Sequence, residues 1–143
     1  MSACETMGNV TDICSDKTGT LTENSMSVID IYYSGNLVSV TSGLNDKIKK
    51  DPELIDLVTG VAINCSATPD FSKSLKEQMG NKTEMALMEF SNNLGVNYSN
   101  VRKLENIINM IPFSSERKKM MTMFKQDDGR TILYVKGAPE IIL

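Results

Sequence analysis

The fold is decided by residues 105–136, which read ENIINMIPFSSERKKMMTMFKQDDGRTILYVK. They contain three strand-like runs, at about 105–113, 119–125 and 131–136, separated by short polar connections. The connection Asp127-Asp128-Gly129 is typical of a tight turn between the last two runs. Because connections this short join neighbouring strands, the segment predicts an antiparallel meander of three strands.

The meander also predicts which side chains share one rim of the sheet. In an up-down-up arrangement the first strand ends where the second begins and the third ends. Phe113, Lys118 and Lys136 occupy those three positions. An aromatic ring can stack on a base for about 1–3 kcal/mol, and lysines attract phosphates as point charges, so the rim is a candidate nucleotide pocket. The ordinary alternative for each residue alone stays open, because a Phe at a strand end is usually core and a Lys there is usually solvated.

Two helices are predicted upstream of the meander. The run Asp51-Pro52-Glu53 is typical of a helix start, with an N-cap, a proline at the first position and an acid in the first turn. Asn81 and Glu84 open the second helix in the pattern of a capping box, an account of Glu84 that needs no ligand. Gly60 weakens the first helix by about 1 kcal/mol relative to Ala, and Gly95 is a predicted stop for the second. The residues expected on the buried faces are Leu54, Leu57, Val58, Val61, Ala62 and Cys65 in the first helix and Leu87, Phe90 and Leu94 in the second.

The remaining segments complete an α+β fold. Residues 28–40 predict a β-hairpin that turns at Ser34-Gly35-Asn36, residues 67–80 predict a loop, and residues 138–143 have the pattern of the first turn of a helix. Together with the meander, these elements predict an antiparallel β-sheet flanked by helices on one face. We expect the sheet to be incomplete at its C-terminal side and its unpaired edge to favour self-association.

Composition excludes several classes of function. A net charge of −3 gives no reason to expect a nucleic-acid partner, and no apolar run approaches the roughly 18 residues that span a bilayer. The chain has no histidine, which excludes histidine-based triads, metal ligands and general bases. Its three cysteines (Cys4, Cys14 and Cys65) are an odd number without CxxC spacing, as expected in a reducing compartment.

The opening of the chain carries a candidate catalytic carboxylate. Residues 14–22, CSDKTGTLT, place Asp16 in a turn that contains Thr18, Gly19 and Thr20. A strand that ends in a glycine-containing loop exposes N–H groups and hydroxyls that suit a phosphate, and we expect residues 1–24 to form such a strand, loop and turn. A carboxylate held beside a bound phosphate can act as its nucleophile. Taken singly, these residues are also those of an ordinary turn.

The order of the residues favours the catalytic interpretation. The run DKTGT at residues 16–20 resembles the phosphorylation signature of the P-type ion-pumping ATPases, and a fixed string of five arises by chance in such a chain on the order of 1 in 20,000 times. Extended back through CETMG at residues 4–8, it is similar more narrowly to the plasma-membrane-type calcium pumps. Three further runs resemble nucleotide-domain motifs of the family in the right order: GNKTE at 80–84, PFSSERKKM at 112–120 and VKGAPE at 135–140. Many such pumps carry an Arg where this chain has Ser115, a departure that fits the calcium subtype and leaves open what contacts the phosphates.

The resemblance implies ATP as the ligand of the predicted pocket. It implies that Phe113 stacks on the adenine and that Glu84 faces the adenine amino group. Lys118 and Lys136 would line the pocket, and Gly137 would permit close approach of the ligand. Residues 25–143 would then be a truncated nucleotide-binding domain, preceded in residues 1–24 by the edge of a phosphorylation domain.

The resemblance also implies a mechanism for the parent protein. Asp16 would accept the phosphoryl group, and Lys17 would offset charge on the acyl phosphate. Thr18 stands where related phosphatases have a general acid, so the aspartyl-phosphate would hydrolyse slowly and last through a conformational change. Mg²⁺ would bridge Asp16 and the phosphate, with Asp16 and Thr18 as its residues in the complete protein.

Parts of the family pattern do not follow in this sequence, among them a GDGxND-type segment and ion-binding membrane helices. We therefore expect a fragment of a pump that lies on the cytoplasmic face of a plasma or vacuolar membrane, that binds ATP at most and that neither hydrolyses it nor transports calcium. The remainder of the pump would be its partner. One alternative is a regulatory or scaffold domain that keeps the fold without ATP. Another is a small phosphatase of the haloacid-dehalogenase type, which the missing second Asp disfavours.

Overall fold

The computed structural model of the chain describes residues 8, 10–40, 44, 51–73 and 80–143. Three predictions fall partly or wholly on the other residues and lie outside the described part: Cys4, most of the CETMG run and the second half of the 67–80 loop. The described strands and helices are β1 (Asp30–Tyr33), β2 (Asn36–Ser39), α1 (Pro52–Ile63), α2 (Lys82–Asn93), α3 (Tyr98–Val101), β3 (Ile107–Ser114), β4 (Lys119–Lys125), β5 (Thr131–Gly137) and α4 (Pro139–Ile142).

The strands form two antiparallel sheets. β1 and β2 make the predicted hairpin, with Ile31 opposite Val38. Ser34 and Gly35 both have positive φ, of 48° and 77°, which is the two-residue turn whose twist matches that of the strands. β3, β4 and β5 make the predicted meander, with β4 in the centre. The α+β prediction is confirmed.

Both long helices begin where their caps predict. The Asp51 carboxylate accepts hydrogen bonds from the N–H groups of Glu53 and Leu54 at 3.1 and 3.4 Å. The Asn81 side chain accepts from the N–H groups of Thr83 and Glu84 at 3.0 and 3.4 Å. These side chains satisfy donors that the first turn of a helix leaves without partners.

The core lies between the helices and both sheets. Leu44, Leu54, Val58, Phe90 and Leu94 form one buried cluster, against which the hairpin packs. Cys65, Ala67, Met85 and Met88 form a second cluster between α2 and the loop that follows α1. The expectation that Leu57 is buried is wrong, because 39% of its surface is exposed.

Gly60 lets α1 lie close to the three-stranded sheet. A Cβ built on Gly60 would lie 2.6 Å from a ring carbon of Tyr134 in β5. A second contact joins the same two layers, because the buried Thr122 hydroxyl of β4 donates to the Asn64 side-chain oxygen at 2.9 Å. The glycine therefore costs helix propensity and permits the helix–sheet packing that supports the meander.

The strand predicted just before Asp16 is absent. Residues 10–16 form no strand, and Val10 and Ile13 are exposed. A strand needs a neighbour with which to pair, and the described residues place none beside this segment. Among the residues that the structure describes, no helix combines the length and the apolar character needed to cross a bilayer.

Candidate functional site

Phe113 is presented by an irregularity in β3. Ile111 lies opposite Met121, but Ser114 lies opposite Lys119, so β3 contains one residue more than β4 over this stretch. Such a bulge bends the strand and redirects a side chain. Pro112 falls inside it, where a missing N–H costs no ladder hydrogen bond. Phe113 is 52% exposed, which leaves its side chain available to a ligand.

Lys118 ends the connection between β3 and β4 in a left-handed conformation, with φ of 51°. Its N–H donates to the Ser114 carbonyl at 2.8 Å, which closes the turn. The ends of β4 and β5 meet at this turn, because the Ala138 N–H donates to the Lys118 carbonyl at 3.0 Å. The two lysines at these strand ends therefore lie on one rim.

Gly137 is fixed by the same contact. A Cβ built on it would lie 2.5 Å from the Lys118 carbonyl oxygen and 2.8 Å from the Lys119 Cβ. Backbone atoms cannot move aside as the end of a flexible side chain can. In this structure Gly137 therefore permits the close approach of the turn at Lys118. Close approach of a ligand to Gly137 stays a prediction.

A cavity of about 590 Å³ opens at this rim, between α2 and the sheet. It is lined by Asn81, Thr83, Glu84, Leu87, Phe113, Lys118, Lys136, Gly137, Ala138 and Glu140. Phe113, Lys118 and Lys136 therefore share one site, as the meander predicted. Glu84 and Gly137, which the family resemblance added, line it as well.

Glu84 is the buried charge of the cavity, with 6% of its surface exposed. One carboxylate oxygen accepts from the Ser66 hydroxyl at 2.7 Å, the Ser66 N–H at 3.2 Å and the Ala67 N–H at 2.9 Å. The other accepts from the Lys136 ammonium at 2.5 Å. Burial raises the pKa of Glu84, but the hydrogen bonds from Lys136 and Ser66 and the charge of Lys136 outweigh it and lower that pKa to about 2.

These contacts correct the capping-box prediction. In a capping box the Glu84 carboxylate would turn back to the Asn81 N–H, and only the Asn81 half of the pattern is present. The carboxylate instead joins α2 to the loop after α1 and to β5. The charged ammonium and the two amides offer it stronger hydrogen bonds than one exposed backbone N–H would.

Both cavity lysines are paired with carboxylates, but not equally. Lys136 is 26% exposed and its partner Glu84 is almost fully buried. The Lys118 ammonium lies 3.1 Å from a Glu140 carboxylate oxygen, and both side chains are more than half exposed. An exposed pair contributes about 0–1 kcal/mol, so Lys118 can exchange Glu140 for another anion far more easily than Lys136 can leave Glu84.

The predicted phosphorylation residues lie elsewhere on the described chain. Asp16, Lys17 and Thr18 are exposed and are not among the residues that line the cavity. Their loop is closed locally, since the Gly19 N–H donates to the Thr22 hydroxyl at 3.2 Å and that hydroxyl donates to the Lys17 carbonyl at 3.4 Å. Gly19 has a φ of 79°, a conformation that favours glycine. The catalytic roles of this loop stay predictions.

The residues present do not by themselves make a magnesium site. Asp16 and Thr18 offer oxygen ligands of the kind that Mg²⁺ prefers. Within the described ranges, however, no three residues of the types His, Cys, Asp and Glu are grouped so that they could hold a metal ion. The Mg²⁺ prediction therefore concerns a complete protein.

Sequence reasoning missed Ser66, Ala67 and Glu140, which hold the charged side chains of the cavity. Glu140 follows the end of β5 directly and stands in the VKGAPE run, which was a usable signal. Ser66 lies 18 residues before Glu84, in a segment with no motif, so nothing local indicated the contact.

Comparison with known proteins agrees with the fold. Residues 53–143 match the family described as P-type ATPase, cytoplasmic domain N. Over its whole length the chain is 44% identical to calcium-transporting ATPase PAT1 of Dictyostelium discoideum. It is likewise 42% identical to plasma membrane calcium-transporting ATPase 1 of Mus musculus and 41% identical to plasma membrane calcium-transporting ATPase 4 of Homo sapiens. It spans 13% of the length of the first relative and 12% of each of the others. The chain belongs to the P-type ATPase cytoplasmic domain N family.

Proposed function

We propose that the chain is the adenine-nucleotide-binding segment of a P-type calcium pump and that the cavity between α2 and the β3–β5 sheet is its ATP site. The observation that carries the proposal is the convergence of side chains from three separate sequence runs, at residues 80–84, 112–120 and 135–140, on one cavity of about 590 Å³. That volume lies in the range of small-molecule pockets.

The lining residues fit an adenine nucleotide. Phe113 offers a flat exposed ring for a base, and the half-buried Leu87 adds an apolar wall. Lys118 forms an exposed ion pair with Glu140, and a phosphate could replace Glu140 as its partner. Lys136 would act from a fixed position, with its charge balanced by Glu84. In this arrangement the base contributes most of the affinity and the phosphates contribute little.

In the complete pump, ATP would supply the phosphoryl group and Asp16 would receive it, with Lys17 and Thr18 beside it and Mg²⁺ among the cofactors. The relatives' names support calcium as the transported ion. The chain would then lie on the cytoplasmic face of a membrane, with the rest of the pump as its partner. We expect no phosphate release by the 143-residue chain alone, and an Asp16→Asn variant is the control for any release that is measured.

Calorimetric titration of the 143-residue chain with ATP tests the proposal. Phe113→Ala should weaken binding about fivefold or more, because it removes stacking worth about 1–3 kcal/mol per base. Phe71→Ala is the matched control: this partly exposed ring packs edge-on against Tyr98 and does not line the cavity. Absence of ATP binding at millimolar concentration, or equal binding by the Phe113→Ala chain, would reject the proposed site.

One observation favours a second candidate, a scaffold domain that no longer binds ATP. Glu84 and Glu140 already neutralise both lysines of the cavity. If the wild-type chain shows no affinity for ATP, this candidate replaces the first. Sedimentation would then test the further prediction that the chain self-associates through the edge of its three-stranded sheet.

A further inference from the structure

The loop that follows α1 holds the Glu84 carboxylate by one of its two oxygens. All three donors from this loop, the Ser66 hydroxyl, the Ser66 N–H and the Ala67 N–H, converge on the same oxygen. The other oxygen is left for the Lys136 ammonium. The loop thus fixes the direction in which Glu84 presents its other oxygen to Lys136.

The side chain of Arg102 holds this loop in place. The Arg102 guanidinium donates to the Ala67 carbonyl at 2.9 Å and to the Ala62 carbonyl at 2.7 and 2.9 Å. Arg102 also lies over the ring of Tyr98, with 5.1 Å between the guanidinium carbon and the ring centroid. One side chain therefore ties the end of α1 to the loop, and the donors that face Glu84 are preorganised.

We propose that Ser66 is a positioning residue for the nucleotide pocket: through Glu84 it sets the place of the Lys136 ammonium. The inference rests on the proposed ATP site. Ser66 does not line the cavity, so its effect on a ligand must pass through Glu84 and Lys136. Its hydroxyl makes the shortest of the three anchoring hydrogen bonds and is the only one that a side-chain substitution can remove.

The contacts from Ser66 through Glu84 to Lys136 predict different ATP affinities for two substitutions of Ser66. Without the hydroxyl, the two N–H groups still hold Glu84, so the carboxylate stays bound but less firmly directed. Lys136 then gains freedom to leave the rim. Ser66→Ala should weaken ATP binding about three- to tenfold, the net effect of one ordinary hydrogen bond, because Ser66 acts on the ligand only through Glu84 and Lys136. Ser66→Thr keeps the hydroxyl and should restore affinity to within about twofold.

The test combines ATP titration with carbon-detected NMR titration of the Glu84 carboxyl group in the 143-residue chain. Ser66→Ala should raise the pH at which Glu84 titrates, whereas a residue with a merely structural role would leave that midpoint unchanged. Ser72→Ala is the control, because the Ser72 hydroxyl donates to Asp70 in a surface turn outside the cavity. If Ser66→Ala does not fold, Ser66→Cys, which replaces the hydroxyl by a larger group that is a weaker donor, should show the same two changes.

The outcomes separate this inference from the function on which it rests. A wild-type chain that does not bind ATP rejects the proposed function. A wild-type chain that binds ATP, together with a folded Ser66→Ala chain of equal affinity and unchanged Glu84 midpoint, overturns the role of Ser66 and leaves the ATP site standing.

Discussion

The ion pair between Glu84 and Lys136 should make the chain sensitive to acid. It joins α2 to β5 across 52 residues of sequence, with the carboxylate buried and the ammonium partly buried. A fall in the pKa of Glu84 from 4.5 to about 2 corresponds to about 3–4 kcal/mol of stabilisation, at about 1.4 kcal/mol for each pKa unit. Glu84→Gln keeps an acceptor for Ser66 and loses the charge, so we expect it to lower the free energy of unfolding by about 2–3 kcal/mol at pH 7.

The sign of the pH dependence follows from the lowered pKa. The ionised carboxylate is favoured in the folded state, so its stabilisation is fully present above about pH 4.5. It is lost as the pH falls from about 4.5 towards 2, and less than half of it should remain at about pH 3. The glutamine variant has no group to protonate at this position. Wild type and variant should therefore converge in acid.

Urea unfolding at pH 7, 5, 4 and 3 measures the effect. Glu89→Gln is the matched control, since Glu89 lies on the same helix and does not line the cavity. The reasoning would be refuted if Glu84→Gln unfolded within 0.5 kcal/mol of wild type at pH 7, or if the difference between them stayed constant down to about pH 3.

Three further substitutions test how the layers are held together, each measured by urea unfolding at pH 7. Gly60→Ala should destabilise by about 1–2 kcal/mol despite its better helix propensity, because the added methyl meets the Tyr134 ring; in a Tyr134→Leu background the same change should be neutral or stabilising. Asp51→Ala should cost about 1 kcal/mol through loss of the α1 cap, and Asp51→Asn should restore most of it. Thr122→Val should cost about 1–3 kcal/mol, since it leaves the buried Asn64 oxygen without its donor, and Thr122→Ser should cost less; equal effects of Val and Ser would contradict that account.

Local chemistry was enough to predict the starts of the two long helices and the tight turns between strands. The caps at Asp51 and Asn81 act on the N–H groups of the next turn, within three residues of their own position. The hairpin turn at Ser34-Gly35 and the tight turn before Arg130 are likewise decided by adjacent residues. The rim of the meander was predictable for a related reason: strand order alone brings Phe113, Lys118 and Lys136 together.

The errors arose where distant residues decide the outcome. The sequence offered Glu84 a partner three residues away, but its actual partners Ser66 and Lys136 lie 18 and 52 residues away. The strand expected before Asp16 failed because β-structure depends on a neighbour, and the described residues supply none. From the sequence, Gly60 could be assigned only its cost in helix propensity. Its contact with Tyr134 could not be predicted, because Tyr134 lies in a different layer of the fold.

The most direct test of the central claim is amide NMR mapping of the 143-residue chain during titration with ATP. We predict that the largest chemical-shift changes fall on Lys118, Gly137 and Ala138 at the rim, while Asn100 and Val101, which line a separate small cavity, stay unchanged. Changes centred on Asn100 and Val101, or none at millimolar ATP, would contradict the claim that the cavity between α2 and the sheet is the nucleotide site.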